Sequence, residues 1–294
     1  MIGRIHHATL RVGDVAEASA RWRRLLGLTG DDGLLRCAYE DFCLELVDAG
    51  DARPGLEHVG WELRAGVSPA RARERVAAHG IEVRETQRGL RLDDPDGNGV
   101  LLVERVEPAD RTPSVARFTD VLPAFHPRKL GHVNYLTGDV QRAVAFYEEV
   151  LGFRQTDWIG DEGCWLHVNH DHHALAFLEK GFAHVHHLAF ELVDWGEMRV
   201  ALDHLGQHGR PVVWGPGRHA MAQNLFSYVR MPEEDLFVEL FADLEQLDED
   251  HVVRHFPDDP HASNVWGILP PRSYFRFDEE AIRSEREQLA ALEG

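Results

Sequence analysis

Residues 130–153 read LGHVNYLTGDVQRAVAFYEEVLGF, and residues 5–28 read IHHATLRVGDVAEASARWRRLLGL. The two stretches align without a gap at a shift of 125 residues, which carries His7 onto His132, Gly13-Asp14 onto Gly138-Asp139 and Leu26-Gly27 onto Leu151-Gly152. A second pair follows at a shift of 129: LEHVGWEL (56–63) on VHHLAFEL (185–192), and His79-Gly80 on His208-Gly209. Self-similarity at a constant shift is the signature of a duplicated unit. In each copy a short strand comes first. Asp14 or Asp139 then N-caps an amphipathic helix, which Gly27 or Gly152 ends. Short alternating segments follow (LLRCAYEDFCLELV; CWLHVNHDHHALAFLE), as expected of half-buried strands, and the pattern restarts at residues 56 and 185. The sequence thus predicts an α+β chain of two tandem domains, each of two strand–helix–strand–strand–strand modules. The expected boundaries are 1–105, a linker over 106–129, 130–245, and a tail over 246–294 that carries NVWGILPPRSYF, ends in a charged helix near 278–292 and has no counterpart in the first half.

Composition narrows the function classes. In 294 residues, 44% are apolar and 28% charged, enough for a sizeable core and unlike a disordered chain. The net charge of −19 repels phosphate backbones and anionic headgroups, so neither nucleic acid nor membrane is an expected partner. No apolar run approaches the ~18 residues of a spanning helix, and MIGRIHH does not read as a signal peptide. Three cysteines without metal spacing fit a reduced cytoplasm. Histidine is abundant: 19 residues, seven of them between His167 and His187.

His132 and His187 fall in the first strands of the two C-terminal modules. Period-2 alternation puts His186 with Leu188, Phe190 and Leu192 on a bulky apolar face, and His187 with Val185, Ala189 and Glu191 on the other, where the small alanine suits a cavity wall. Glu239 sits inside the apolar run LFVELF, where a carboxylate is costly unless a cation or hydrogen bonds neutralise it. Two imidazoles and one carboxylate are the donor set of a facial triad, which leaves positions open on a divalent metal. Taken singly, each has an ordinary structural explanation: a core histidine bonded to backbone, or an edge glutamate facing water.

The segments HVNYLTGDVQRAVAFYEEVLGF (132–153), NHDHHALAF (169–177), HVHHLAFEL (184–192) and GRHAMAQNLFSYVRMPEEDLFVELF (217–241), in that order, resemble the catalytic domain of the type I extradiol ring-cleavage dioxygenases. These are the catechol 2,3-dioxygenase-like enzymes of the vicinal oxygen chelate superfamily, in which paired βαβββ modules curl into an open barrel around a metal. The resemblance extends over residues 1–245. It implies His132, His187 and Glu239 as metal ligands. From the pattern H-x-x-A-F (here HALAF) it implies His173 as the acid–base histidine. Arg218-His219, with a tyrosine nine residues on, gives His219 and Tyr228 as groups that hydrogen-bond the substrate. One departure is that MPEEDLFVEL stands where the family has D-P-x-G-N before its glutamate, so Glu233 and Glu234, expected in a solvent-facing turn, are the rivals of Glu239. The N-terminal copy keeps His7, His58 and DPDGN (94–98) but has Leu101 or Leu102 at the Glu239 position, with Glu104 two residues beyond Leu102. It therefore reads as a vestigial domain without metal.

The implied activity is cleavage of a catecholic ring beside its hydroxyls by O2 at a mononuclear Fe(II), with Mn(II) also compatible, to a hydroxymuconic-semialdehyde-type product in aromatic catabolism. The implied assembly is a homo-oligomer. The rival expectations are a glyoxalase-like isomerase or thiol transferase of the same superfamily, and a metal-free binding protein of the drug-resistance type. Trp165, His167, Phe177 and Trp214 fit a pocket wall or ordinary core equally well. The histidine-rich stretch, placed on strands, does not read as a metal store.

Overall fold

The computed structural model describes residues 1–40, 43–105, 125–275 and residue 287. The terminal helix expected near 278–292 lies, but for residue 287, outside them, as does most of the segment 106–129. The first half runs β1 (Ile2–Val12), α1 (Val15–Leu26), β2 (Thr29–Asp31), β3 (Leu34–Arg36), β4 (Leu44–Asp48), β5 (Gly55–Leu63), α2 (Pro69–Ala78), β6 (Arg84–Thr86), β7 (Gly89–Asp93) and β8 (Gly99–Val103). The second runs β9 (Leu130–Thr137), α3 (Val140–Ala145), β10 (Arg154–Ile159), β11 (Gly163–His167), β12 (Leu175–Glu179), β13 (His184–Glu191), α4 (Trp195–Gln207), β14 (Val212–Arg218), β15 (Leu225–Met231) and β16 (Leu236–Ala242). These are the four modules of the duplicated pattern. A short β17 (Arg254–Phe256) follows from the tail.

Each half makes one mixed sheet, ordered β2-β3-β4-β1-β5-β8-β7-β6 and β14-β15-β16-β13-β9-β12-β11-β10-β17. The first strands of the two modules pair antiparallel at its centre, and the fourth strand of each module flanks them in parallel. This order brings the histidine-bearing strands side by side although 55 residues separate His132 from His187.

The local signals behave as their chemistry requires. Asp14, Asp139 and Asp194 sit in extended backbone, and each side chain accepts an amide N–H of the first helical turn, at 2.8, 2.9 and 3.0 Å. Such a cap contributes about 1 kcal/mol. Gly27 and Gly152 end their helices at φ of 66° and 79°, where a side chain costs about 1–2 kcal/mol. A Cβ on Gly152 would also lie 2.8 Å from the Met1 amine. The helix that Gly152 ends differs from the expected plain α-helix, because residues Phe146–Leu151 continue α3 as a π-helical turn.

The halves are bound to each other by polar groups as well as by core. Trp22 of α1 packs on Phe190 of β13. Arg75 caps the end of the π turn, donating to the carbonyls of Val150 at 2.7 Å and Glu149 at 2.8 Å. Asp94, at the head of the retained DPDGN turn, accepts the amides of Asp96 and Asn98 and the hydroxyl of Tyr147 from the other half. The expectation that Glu233 and Glu234 face solvent is corrected for Glu234. Its side chain is 0% exposed and pairs with the nearly buried Arg21 of α1, while the half-buried Glu233 pairs with Arg210.

Removing Glu234 leaves Arg21 with only the more distant carboxylates of Glu17 at 3.6 Å and Glu233 at 3.8 Å, so Glu234→Ala is expected to destabilise the chain by about 1–3 kcal/mol. The paired change Arg21→Met with Glu234→Met is expected to recover most of that loss. Guanidinium unfolding with an unchanged slope checks both; equal losses in the single and double variants contradict the pair.

Candidate metal centre

Register builds the site. In the central strands the Cα partners run His132 to Ala189, Ala189 to Glu239, Glu239 to Tyr228 and Tyr228 to Trp214, one transverse row over β9, β13, β16, β15 and β14. Residues opposite one another in a sheet share a face, and so do residues two apart on one strand. His187 therefore joins the row through Ala189, and Asn134 joins it through His132. The alanine between the two ligand candidates leaves room for both.

His132 Nε2 lies 3.0 Å and His187 Nε2 3.1 Å from the same carboxylate oxygen, Oε2 of Glu239. The three donor atoms lie within 4.8 Å of one another, on side chains that are all buried. An octahedral ion with bonds of about 2.1 Å separates neighbouring ligand atoms by about 3 Å, so this donor set fits a divalent metal of that size. Burial by itself raises a carboxylate pKa. Here the imidazole of His132 outweighs it and holds Glu239 well below the usual range. Its remaining hydrogen bonds come from Tyr228 Oη at 2.9 Å on Oε2 and Asn224 Nδ2 at 3.1 Å on Oε1.

The alternation predicted around His187 fails by one residue. A β-bulge between Val185 and His187 makes His186 the extra residue. Its ring stacks on Phe237 and meets Tyr274 instead of sharing the core of Leu188. His186 Nε2–H donates to the Tyr274 carbonyl at 2.7 Å, which leaves its Nδ1 to accept from His187 Nδ1–H at 2.8 Å. His187 thus turns a bare Nε2 toward Glu239, as a ligand held by an outer hydrogen bond does. Buried Nδ1 of His132 has no such partner among the described residues.

The other three predicted residues reach the same place. His173 is 3% exposed, and its ring centroid is 4.1 Å from that of His132. His219 Nε2 lies 3.2 Å from the Tyr228 hydroxyl, and its Nδ1–H donates to the Ser263 carbonyl. Burial lowers the pKa of His173 well below the ordinary value and also lowers that of His219, while it raises that of Tyr228. All six residues line one cavity of about 270 Å³, whose walls include Trp165, Trp214, Tyr274 and Phe275. Of the four uncertain wall residues, Trp165 and Trp214 face the cavity. His167 is instead bonded to Thr156, and Phe177 packs with Tyr135 and Tyr147 in the core.

Sequence reasoning missed Asn134, Asn224 and the tail. Asn134 and Asn224 also line the cavity, and buried Oδ1 of Asn134 has no protein donor among the described residues. Its signal was available: two residues after His132, on the same strand face. Ser263, Pro270, Tyr274 and Phe275 reach the cavity from the tail, and no pattern in their sequence announces it.

The N-terminal half resolves one alternative and corrects one expectation. His7 pairs with Gly60 and Gly60 with Leu101, so Leu101 holds the position of Glu239. Glu104 is exposed. A carboxylate is nevertheless present, because Glu45 on β4, opposite Thr9, forms a group with His7 and His58. It comes from the other flank of β1, which is why the alignment of copies could not find it. This carboxylate is already engaged: Arg88 pairs with it, Thr9 donates to it at 2.9 Å, and the Thr9 hydroxyl lies 3.1 Å from His58 Nε2.

Burial lowers the His167 and His58 pKa values to about 4. A folded-state value below the unfolded one means that the unfolded chain binds more protons between the two. Stability is therefore complete above pH 6.5 and falls by about 1.4 kcal/mol per pH unit for each such histidine as pH drops toward 4. Unfolding free energies measured in steps from pH 7.5 to 4.5 are expected to show this decline, and His167→Gln is expected to reduce its slope.

No helix among the described residues is long and apolar enough to cross a membrane. Residues 129–231 match the family described as the Glyoxalase/Bleomycin resistance protein/Dioxygenase superfamily. The chain is 29% identical over 271 residues to metapyrocatechase 2 of Cupriavidus necator, a match covering 83% of this chain and 82% of that one. Among solved structures, the Mn(II)-bound glyoxalase of Novosphingobium aromaticivorans superposes with a TM-score of 0.77 at 25% identity, covering 94% of both chains. The 3,4-dihydroxyphenylacetate complex of homoprotocatechuate 2,3-dioxygenase from Brevibacterium fuscum gives 0.82 at 23% identity, covering 93% of this chain and 91% of that one, a likeness of fold. Residues 129–231 thus carry a glyoxalase-type domain, and the chain is similar over most of its length to a metapyrocatechase and shares its fold with homoprotocatechuate 2,3-dioxygenase.

Proposed function

We propose that this protein cleaves a catecholic ring beside its two hydroxyls with O2, at a single Fe(II) held by His132, His187 and Glu239, and releases a hydroxymuconic-semialdehyde-type product. The observation that carries this reading is the pairing of the two-imidazole, one-carboxylate group with three further hydrogen-bonding side chains on one aromatic-walled cavity. An isomerase has no need of that second group, and a metal-free binding module has no need of the first. A metal bound there supplies a Lewis acid for two adjacent oxygens and a redox link between the ring and O2. Fe(II) suits this donor set; the Mn(II) bound by the glyoxalase relative keeps Mn(II) as the second choice.

The protein's own groups do the rest. Trp165, Trp214 and Tyr274 hold the flat ring and keep water from it. Kept neutral by burial, His173 takes a proton from one catechol oxygen and returns it later, general acid–base help on the order of 10²–10⁴-fold. Tyr228 and His219 hydrogen-bond the other oxygen. Asn134 Oδ1, a buried acceptor facing the cavity, is suited to a substrate hydroxyl. We take the N-terminal half as a structural domain without metal, with Arg88 supplying the positive charge beside Glu45. The chain works as a homo-oligomer in the cytoplasm, where its buried thiols Cys37, Cys43 and Cys164 stay reduced.

The test is anaerobic loading with Fe(II) or Mn(II), then a panel of catechols, then air. A yellow ring-opened product is expected from wild type. Glu239→Gln is expected to lose metal affinity by about a hundredfold or more, with turnover falling alongside. Full turnover in that variant, or isomerised or thiol-conjugated products from wild type, would overturn the proposal.

A further inference from the structure

Beneath His173, away from the cavity, His173, His172, Asp157 and Arg254 form a continuous hydrogen-bonded chain that is buried as far as Asp157. His173 Nδ1 lies 3.0 Å from His172 Nδ1, with the two rings perpendicular. His172 Nε2 lies 2.8 Å from Asp157 Oδ2, and both of these side chains are 0% exposed. The parallel register of β10 and β17 sets Asp157 opposite Arg254. Arg254 donates through Nε to Asp157 Oδ1 at 2.8 Å and through Nη2 to Oδ2 at 2.9 Å, and its other face grips Glu245 at 2.8 and 2.7 Å.

Counting hydrogens along this chain leaves one arrangement. Two guanidinium N–H groups of Arg254 donate to the Asp157 carboxyl group, one to each oxygen, so it is ionised and can only accept. His172 must then donate through Nε2. A neutral imidazole carries one N–H, so His172 Nδ1 is an acceptor, and the hydrogen in the 3.0 Å gap belongs to His173 Nδ1. The lone pair of His173 is consequently on Nε2, on a ring that lines the cavity.

We propose that Asp157, His172 and Arg254 are positioning residues that hold His173 in its Nδ1–H tautomer, so that a bare Nε2 meets the substrate hydroxyl. The tail thereby enters the chemistry, because Arg254 reaches the sheet only through β17. The catalytic part of this proposal rests on the acid–base role given to His173; the tautomer itself does not. A carboxylate that orients an imidazole through the nitrogen remote from the reaction is the logic of the serine-protease triad, here extended by one more ring.

The experiment uses the full-length chain loaded with Zn(II), which is diamagnetic, and labelled with 15N-histidine. Long-range 1H–15N correlation spectra, assigned with His173→Asn, read which ring nitrogen carries hydrogen. Wild type is expected to show Nδ1–H at His173. In Asp157→Asn the amide brings a fourth donor to the cluster, which is expected to move the hydrogen or leave a mixture. His172→Phe, which keeps the ring volume, is the second variant should Asp157→Asn fail to fold. With Fe(II)-loaded enzyme, each is expected to lower kcat about 10²-fold while KM and bound metal stay the same. In a His173→Asn background that loss is expected to vanish, which a merely structural role would not produce. Nε2–H on His173 in wild type, an unchanged tautomer in both variants, or an undiminished loss in the His173→Asn background overturns the relay. Absence of catechol turnover in wild type overturns the functional reading instead, and the spectra still decide the tautomer.

Discussion

A carboxylate with 1% exposure, surrounded by strands of a sheet, is the constraint on which the rest of this molecule turns. Glu239 has two imidazole nitrogens at about 3 Å on one oxygen, a tyrosine hydroxyl on the same oxygen and an asparagine amide on the other. With His187 turned so that its lone pair faces the carboxylate, two acceptors confront each other across 3.1 Å. Such a contact is repulsive unless a positive centre lies between them. That the fold brings these atoms together is the physical case for a cation there.

The tail has more to do than its sequence suggests. One part of it, β17, extends the second sheet and carries the arginine that fixes Asp157. Another supplies the Tyr274 carbonyl that fixes His186, and through it His187. Pairs of adjacent histidines joined through their Nδ1 atoms recur at His172-His173 and His186-His187, and in each the outer member is anchored by a group from another element, Asp157 of β10 or the Tyr274 carbonyl of the tail. The same device stands at His6-His7 in the first half.

Comparing the two halves separates what the fold demands from what the chemistry demands. Both keep a first-strand histidine opposite a small residue, Gly60 or Ala189, because a ring must fit above the partner strand; a Cβ on Gly60 would lie 2.3 Å from the His7 ring. They part at the parallel flanking strand. Leu101 stands where Glu239 does, and the carboxylate of the first half, Glu45, comes from the opposite flank and is held by Arg88 and Thr9. The turn DPDGN, whose counterpart in the second half has become MPEED, serves instead to dock on Tyr147.

The duplication, the module order, the helix caps and the donor set His132, His187 and Glu239 were legible in the linear sequence, whereas His173, His219 and Tyr228 were named only through the family resemblance. Caps and alternation are local, and a repeat with a constant shift transfers each strand's position from one copy to the other. Glu239 was readable for the same reason, since a charge within LFVELF has to be answered by something. Tertiary structure alone decided the remainder. The bulge that turns His186 out of its expected face depends on pairing with β9, and Glu45 meets His7 only because β4 lies on the other side of β1. The burial of Glu234 comes from α1, more than two hundred residues away in sequence. The tautomers of His173 and His187 are set by partners on β10, β17 and the tail. Hydrophobic period and turn chemistry are properties of neighbours in the chain, whereas the partner of a buried polar group is whichever donor or acceptor the folded sheet places within 3 Å.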